Sequence, residues 1–159
     1  MSLEQLKILL ADDDTDDCYF FKVALGECKI ATQFTVVNDG EQLMKLLASK
    51  SKSSQLPHII FIDINMPRKN GFECLTEIKE SKKLKQLPVI MYSTSFEQEV
   101  VNLLYNNGAH YFIRKPPEFS QFKKIIHQTL ALIVKEFPNN QTSFISQPTR
   151  ENFVLTVQN

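Results

Sequence analysis

Short, strongly apolar runs alternate with longer amphipathic stretches along this chain of 159 residues. The most hydrophobic run, residues 59–62 (IIFI), is typical of a central strand covered on both faces. Similar runs occur at residues 7–11, 33–37, 87–92 and 111–113. Because strand–helix alternation with buried strands favours right-handed crossovers and a parallel sheet, the pattern predicts a (βα)5 fold. We expect a doubly wound, five-stranded parallel sheet between two layers of helices, which is an α/β architecture.

The stretches between and after these runs have apolar residues at helical spacing and end at residues typical of helix ends. Helices are predicted over residues 15–25, 41–48, 71–81, 97–107 and 118–137. The Ser/Lys-rich residues 49–56 are predicted to be a loop. We expect residues 1–138 to form one domain, with residues 139–159 as a tail that has no domain of its own. Within that tail, the strand-like run 153–157 is suited to adding a strand to a neighbour or covering an apolar patch.

Composition excludes several classes of function. The chain carries 18 Lys and Arg against 18 Asp and Glu, so no net charge draws it to nucleic acid or to a membrane surface. No apolar run approaches the ~18 residues that suggest a bilayer span. Three cysteines, an odd number without a CxxC pair, favour reduced thiols in the cytoplasm. Four glycines, none in a nucleotide-binding pattern, argue against Gly-rich phosphate loops.

Polar side chains follow four of the predicted strands at the point where each strand ends. Asp12, Asp13 and Asp14 follow the first strand, and Asp63 follows the third. Residues 93–94 (Ser-Thr) follow the fourth strand, and Lys115 follows the fifth. Because ligands of open α/β sheets bind at the carboxyl ends of the strands, we expect these groups to converge on one patch.

Clustered carboxylates restrict what such a patch can do. Two unit charges about 4 Å apart repel by roughly 4 kcal/mol at an effective dielectric near 20, so the cluster needs a cation or must hold protons. Hard oxygen ligands with open positions suit Mg²⁺. A carboxylate can also act as a nucleophile and form an aspartyl phosphate, while a hydroxyl and a lysine hold the phosphoryl oxygens.

Four segments, taken in order, carry a family resemblance: ILLADDD, IIFIDINMP, PVIMYSTS and GAHYFIRKPP. With these segments at this spacing, residues 6–137 resemble the receiver domain of response regulators in two-component signalling. The resemblance implies a flavodoxin-like sheet with strand order 2-1-3-4-5. It also implies Mg²⁺ as the cofactor, held by Asp12, Asp13, Asp63 and the backbone carbonyl of Asn65. Asp63 corresponds to the phospho-accepting aspartate, and Lys115 to the lysine that binds the phosphoryl group.

The same resemblance assigns the conformational switch. Ser93 corresponds to the hydroxyl residue that contacts the phosphoryl group, and Thr94 lies in the loop that borders it. Phe112 corresponds to the aromatic ring expected to turn inward on phosphorylation. Pro116 corresponds to a proline that follows a cis peptide bond in the family. For Asp14 a role in place of a neighbouring acid stays open; Asp16 and Asp17 are expected only to stabilise a helix N-terminus.

These residues predict a stand-alone phosphorylation switch in the cytoplasm, a signalling element more than a turnover enzyme. The expected partners are a sensor histidine kinase or histidine phosphotransfer protein and a downstream protein target or second copy of the chain, without direct nucleic-acid or membrane contact. One alternative is a degenerate receiver that binds a partner constitutively. The other is a haloacid-dehalogenase-like phosphatase, although its D-x-D motif is incomplete in Asp63-Ile64-Asn65.

Overall fold

A computed structural model describes residues 5–53, 55–137 and 146–157. Its strands are β1 (Leu6–Ala11), β2 (Thr32–Val37), β3 (Ile59–Asp63), β4 (Val89–Ser93), β5 (Tyr111–Arg114) and β6 (Val154–Leu155). Its helices are α1 (Thr15–Gly26), α2 (Gly40–Lys52), α3 (Gly71–Glu80), α4 (Gln98–Asn106) and α5 (Phe119–Glu136). Among the helices of these ranges, none is both long enough and apolar enough to cross a bilayer.

The strands form one parallel sheet in the order β2-β1-β3-β4-β5-β6. The predicted order 2-1-3-4-5 is confirmed for the first five strands. The sheet has one strand beyond the five predicted, because β6 lies beside β5, with Phe112 opposite Val154 and Ile113 opposite Leu155. The edge position of β2, which that order implies, is also observed.

Two apolar layers hold the helices on the sheet, and β3 supplies both through the alternation of its side chains. Phe61 points into the layer beneath α1 and α5, where Phe21 packs edge-on against it at 4.9 Å between ring centroids. Ile62 points into the layer beneath α2, α3 and α4, beside Leu43 and Leu75. All five residues of β3 are buried, as expected for a central strand.

Helix α2 is longer than the sequence pattern indicates. It continues through Lys52, whereas we predicted an end at residue 48 and a loop over 49–56. The Ser51 hydroxyl donates back to the Ala48 carbonyl at 3.0 Å, which satisfies a helical acceptor. Lys50 and Lys52 lie in the last turn, where positive charge is favourable beside the negative end of the helix dipole. A Ser/Lys-rich composition therefore did not end this helix.

The described part of the C-terminal segment packs on β5 and α4. Phe153 is only 1% exposed, and its ring meets that of Tyr105 edge-on at 5.1 Å between centroids. Its carbonyl accepts from the Phe112 amide at 3.0 Å. The Tyr105 hydroxyl donates to the Pro148 carbonyl at 2.8 Å, and Arg150 lies over the Tyr105 ring at 4.7 Å. The strand-like run at 153–157 thus extends the chain's own sheet, while residues 139–145 and 158–159 of the predicted tail lie outside the described residues.

Candidate functional site

The carboxyl ends of β1, β3, β4 and β5 open at one edge of the sheet and bring the predicted residues together. Asp12 follows β1, while Asp63 and Ser93 are the last residues of β3 and β4. Lys115 follows β5, and its amide donates to the Ser93 carbonyl at 2.8 Å. All four side chains are buried, which for the three charged ones is unusual without a shared function or a mutual pairing.

Three carboxylates form an acidic cluster at this edge. One oxygen from each of Asp12, Asp13 and Asp63 lies within 4.8 Å of the other two. Asp12 and Asp63 are buried and Asp13 is exposed, so the cluster is open to solvent on one side. A set of hard oxygen donors with an open side fits the preference of Mg²⁺ for a few carboxylates together with water or phosphate oxygens.

Lys115 partly neutralises this cluster. Its ammonium lies 2.9 Å from Asp63 Oδ2, 3.2 Å from Asp12 Oδ2 and 2.8 Å from Asp17 Oδ2. Burial on its own lowers the pKa of Lys115, but the hydrogen bonds to Asp17 and Asp63 outweigh burial and hold that pKa above its usual range. Lys115 is therefore a permanent cation at neutral pH.

Asp63 is a poorer acid than an exposed aspartate. Burial raises the pKa of its carboxyl from 3.8 to about 6, against the opposing effect of the bond from Lys115. Its Oδ1 atom accepts from the Asn65 amide at 3.0 Å. At neutral pH the carboxylate is thus ionised yet held in a partly desolvated pocket, which suits a nucleophile. The Asn65 side chain is exposed, and a metal-binding role for its carbonyl stays a prediction.

Two residues near the cluster were missed or misjudged from the sequence. Tyr92 is fully buried in β4, and its hydroxyl donates to Asp12 Oδ2. The only sequence signal for this contact is that Tyr92 is the first residue with a polar side-chain group after the apolar run of the fourth strand. Asp17, expected to be a solvated residue of a helix N-terminus, is half-buried and pairs with Lys115. Asp14 caps α1 instead of joining the cluster, because its side chain accepts from the amides of Asp16 and Asp17.

The residues expected to form the switch lie beside a small cavity. Ser93 is 2% exposed, and its hydroxyl oxygen accepts from the Ser95 amide at 3.2 Å. A cavity of about 120 Å³ lies beside the loop after β4 and is lined by Asn65, Ser93 and Phe112 among others. Thr94 is exposed and borders a separate groove that also includes Lys115.

The residues of β5 and the loop after it bear on two expectations about the switch. The Phe112 ring is 1% exposed and packs edge-on against Phe96 at 5.9 Å between centroids, and its expected turn on phosphorylation stays a prediction. No peptide bond in the described ranges is cis, so the bond between Lys115 and Pro116 is trans and the expected cis bond is wrong here. The Lys115 ammonium nevertheless reaches both Asp12 and Asp63.

The fold and this site define the class of protein. The family model for the response regulator receiver domain matches residues 8–127, and the chain belongs to that family. It is 28% identical over 121 residues to the response regulator Rcp1 of Synechocystis sp., covering 75% of this chain and 82% of that protein. It is 29% identical over 125 residues to the two-component response regulator ORR5 of Oryza sativa subsp. japonica, covering 77% and 87%.

Solved structures agree with this membership. The phosphorylated cyanobacterial phytochrome response regulator RcpA superposes with a TM-score of 0.74 at 29% identity, covering 79% of this chain and 91% of that one. The Mn²⁺-bound form of Rcp1 superposes with a TM-score of 0.72 at 25% identity, covering 91% and 99%. These neighbours have the parallel sheet and helical layers described above.

Proposed function

We propose that this chain is a single-domain response regulator whose Asp63 accepts a phosphoryl group from a phosphohistidine. In this proposal residues 1–138 are the receiver domain, and residues 139–159 are a tail that has no domain of its own. The observation that carries the proposal is the Lys115 ammonium, which lies between Asp12 and Asp63 at 3.2 and 2.9 Å. An aspartate ready to be phosphorylated needs a cation of this kind beside its oxygens.

The transfer step needs an ionised acceptor and neighbouring groups that bind the phosphoryl anion. One oxygen of the Asp63 carboxylate forms a bond to phosphorus as the bond between phosphorus and the donor imidazole nitrogen breaks, and the imidazole keeps that electron pair. Asp12, Asp13 and Asp63, with the Asn65 carbonyl, would hold Mg²⁺, which when bound offsets the negative charge on carboxylate and phosphoryl oxygens. Lys115 orients Asp63 and remains charged throughout.

Phosphorylation then changes the balance between two conformations of the loop after β4. Replacing one negative charge on Asp63 by about two draws Lys115 and the Ser93 hydroxyl toward the phosphoryl group. Moving an equilibrium from 1:99 to 99:1 requires ~5.5 kcal/mol, and two or three charge-assisted hydrogen bonds of about 1.5–3 kcal/mol each supply this. The Ser93 hydroxyl would exchange its bonds with Ser95, and the cavity beside Phe112 accommodates the movement.

The donor protein has a suitable surface beside Lys115. Tyr19 and Phe20 on α1 are 60% and 42% exposed, and the Phe20 ring lies 5.7 Å from that of Phe119 on α5. Exposed aromatic groups this close together are typical of protein contact surfaces. We assign this surface to a histidine kinase or histidine phosphotransfer protein in the cytoplasm. A downstream protein or a second copy of the chain would bind elsewhere, without contact to nucleic acid or membrane.

A radiolabel transfer assay tests the proposal. Label should pass from a phosphohistidine donor to the wild-type chain in the presence of Mg²⁺ and should be lost in Asp63→Asn. Asp39→Asn is the matched control, because Asp39 is also a buried acid at this edge of the sheet, yet it caps α2 and lies outside the cluster.

Three results would contradict the proposal. Label retained in Asp63→Asn would place the acceptor elsewhere. A wild-type chain that takes up neither label nor beryllofluoride would indicate a constitutive binding module. Turnover of a generic phosphomonoester would indicate a phosphatase.

A further inference from the structure

Tyr92 carries the polar group of β4 that lies nearest the acidic cluster. The residue is 0% exposed and stands opposite Asp63 in the parallel register of β3 and β4. Its ring packs in the apolar layer beneath α1 and α5, edge-on to Phe21 at 6.4 Å between centroids. Its hydroxyl donates to Asp12 Oδ2. Burial and the neighbouring Asp12 charge raise the pKa of Tyr92 well above its usual value, so the hydroxyl keeps its proton and acts as a donor.

Tyr92 also touches the cation of the site. The Lys115 ammonium lies 4.2 Å from the centroid of the Tyr92 ring, a distance at which the ring face attracts a positive charge. The same ammonium donates to Asp12 Oδ2 at 3.2 Å. Asp12 Oδ2 therefore accepts from both Tyr92 and Lys115, while Asp12 Oδ1 accepts from the Asp14 amide at 2.9 Å. Donors of the protein itself thus occupy both oxygens of this buried carboxylate.

We propose that Tyr92 is a positioning residue that sets the cation affinity of the acidic cluster by competing for Asp12 Oδ2. The inference rests on the proposed function, since it requires that the cluster bind Mg²⁺. A hydroxyl donates most strongly to a carboxylate that bears its full negative charge. A cation held by the cluster reduces that charge, so the hydrogen bond from Tyr92 stabilises the cation-free protein more than the loaded protein.

Removing only the hydroxyl tests this competition. Tyr92→Phe keeps the ring, its contact with Phe21 and the surface it offers to Lys115. We expect Mg²⁺ to bind this variant about 3-fold to 10-fold more tightly than the wild type, where tenfold corresponds to about 1.4 kcal/mol. Calorimetric titration with Mg²⁺ at constant ionic strength measures the dissociation constant. The matched control is Tyr111→Phe, because Tyr111 is also buried and also donates to a carboxylate, that of Glu136.

A second readout separates positioning from simple stabilisation. A hydroxyl with only a structural role would lower the thermal midpoint of unfolding by the same amount with and without Mg²⁺. We expect Tyr92→Phe to lower the midpoint in the cation-free protein and to recover most of the loss when Mg²⁺ is added. Tyr111→Phe should show equal losses in both conditions.

A third measurement does not depend on Tyr92→Phe, the variant that might fail to fold. The chain has four tyrosines and no tryptophan, so its absorption at wavelengths longer than the phenylalanine bands reports on tyrosine. Mg²⁺ should change the wild-type tyrosine absorption along the calorimetric binding curve, and the change should persist in Tyr111→Phe. Binding without a spectral change, or an equal or weaker Mg²⁺ affinity in Tyr92→Phe, would overturn the inference while leaving the proposed function intact. A wild-type chain that binds no Mg²⁺ would overturn both.

Discussion

Truncating Phe153 to alanine measures how firmly the C-terminal segment belongs to the folded unit. The side chain is 1% exposed and packs on the Tyr105 ring at 5.1 Å between centroids, inside the layer that also contains Phe112. Removing a fully buried phenylalanine side chain costs about 3–5 kcal/mol through lost burial and the remaining cavity. Since domains of this size unfold with about 5–15 kcal/mol, Phe153→Ala should lose a large fraction of the total stability.

Equilibrium unfolding in urea provides the assay, with the free energy of unfolding taken from the midpoint and slope. Phe72→Ala is the matched control, because Phe72 lies on α3 and is 37% exposed, so its loss should cost less than about 1 kcal/mol. A similarly small loss for Phe153→Ala would refute the reasoning, since it would mean that the segment does not share the core. A reduced slope would mean that the segment unfolds separately from the sheet.

Three further predictions concern the proposed phosphorylation site. Because burial raises the pKa of Asp63 from 3.8 to about 6, its charge destabilises the folded chain above pH 6 and has no such effect below pH 3.8. The free energy of unfolding of Asp63→Asn should therefore exceed that of the wild type by up to about 3 kcal/mol at pH 7, and this difference should shrink toward pH 4. A difference that stays constant with pH would contradict this. The Mg²⁺ affinity of the wild type should fall by up to about tenfold per pH unit below pH 6, because the Asp63 proton must leave first; an affinity independent of pH between 7 and 5 would contradict this. In Gly71→Ala the new Cβ would lie 2.5 Å from the Asp63 carbonyl oxygen, so unfolding free energy and phosphotransfer rate should both decrease, whereas Gly26→Ala, with open space around it, should be neutral or slightly stabilising.

Much of the fold followed from the sequence because each strand is a short apolar run that ends at a polar residue. The same property located the site: Asp12, Asp63 and Lys115 each stand directly at the end of such a run. Because the strands are parallel, these residues meet at one edge of the sheet, and no other feature of the sequence is needed to predict this. The continuation of α2 to Lys52 was missed because serines and lysines give no apolar periodicity on an exposed last turn.

Contacts that depend on packing could not be predicted from local pattern. In the sequence Tyr92 is an ordinary β-strand residue, and only the folded structure shows that its hydroxyl lies beside Asp12. Asp17 lies in a run of acids where solvation is the ordinary expectation, and only the position of Lys115 distinguishes it from Asp16. Residues 153–157 were recognised as strand-like, but the place of the two-residue strand β6 beside β5 depends on the burial of Phe153.

Because the C-terminal segment packs on α4 and β5, one surface of the molecule contains residues of both that segment and the α/β sheet structure. Arg150 donates to Asn106 of α4 at 2.7 Å, and Gln147 donates to the Ala109 carbonyl at 2.8 Å, so side chains distant in sequence form one continuous surface. In the proposed switch, a protein that docks there would contact residues outside the acidic cluster. Substitutions in the last dozen described residues would then change partner recognition during evolution without changing the site at Asp63.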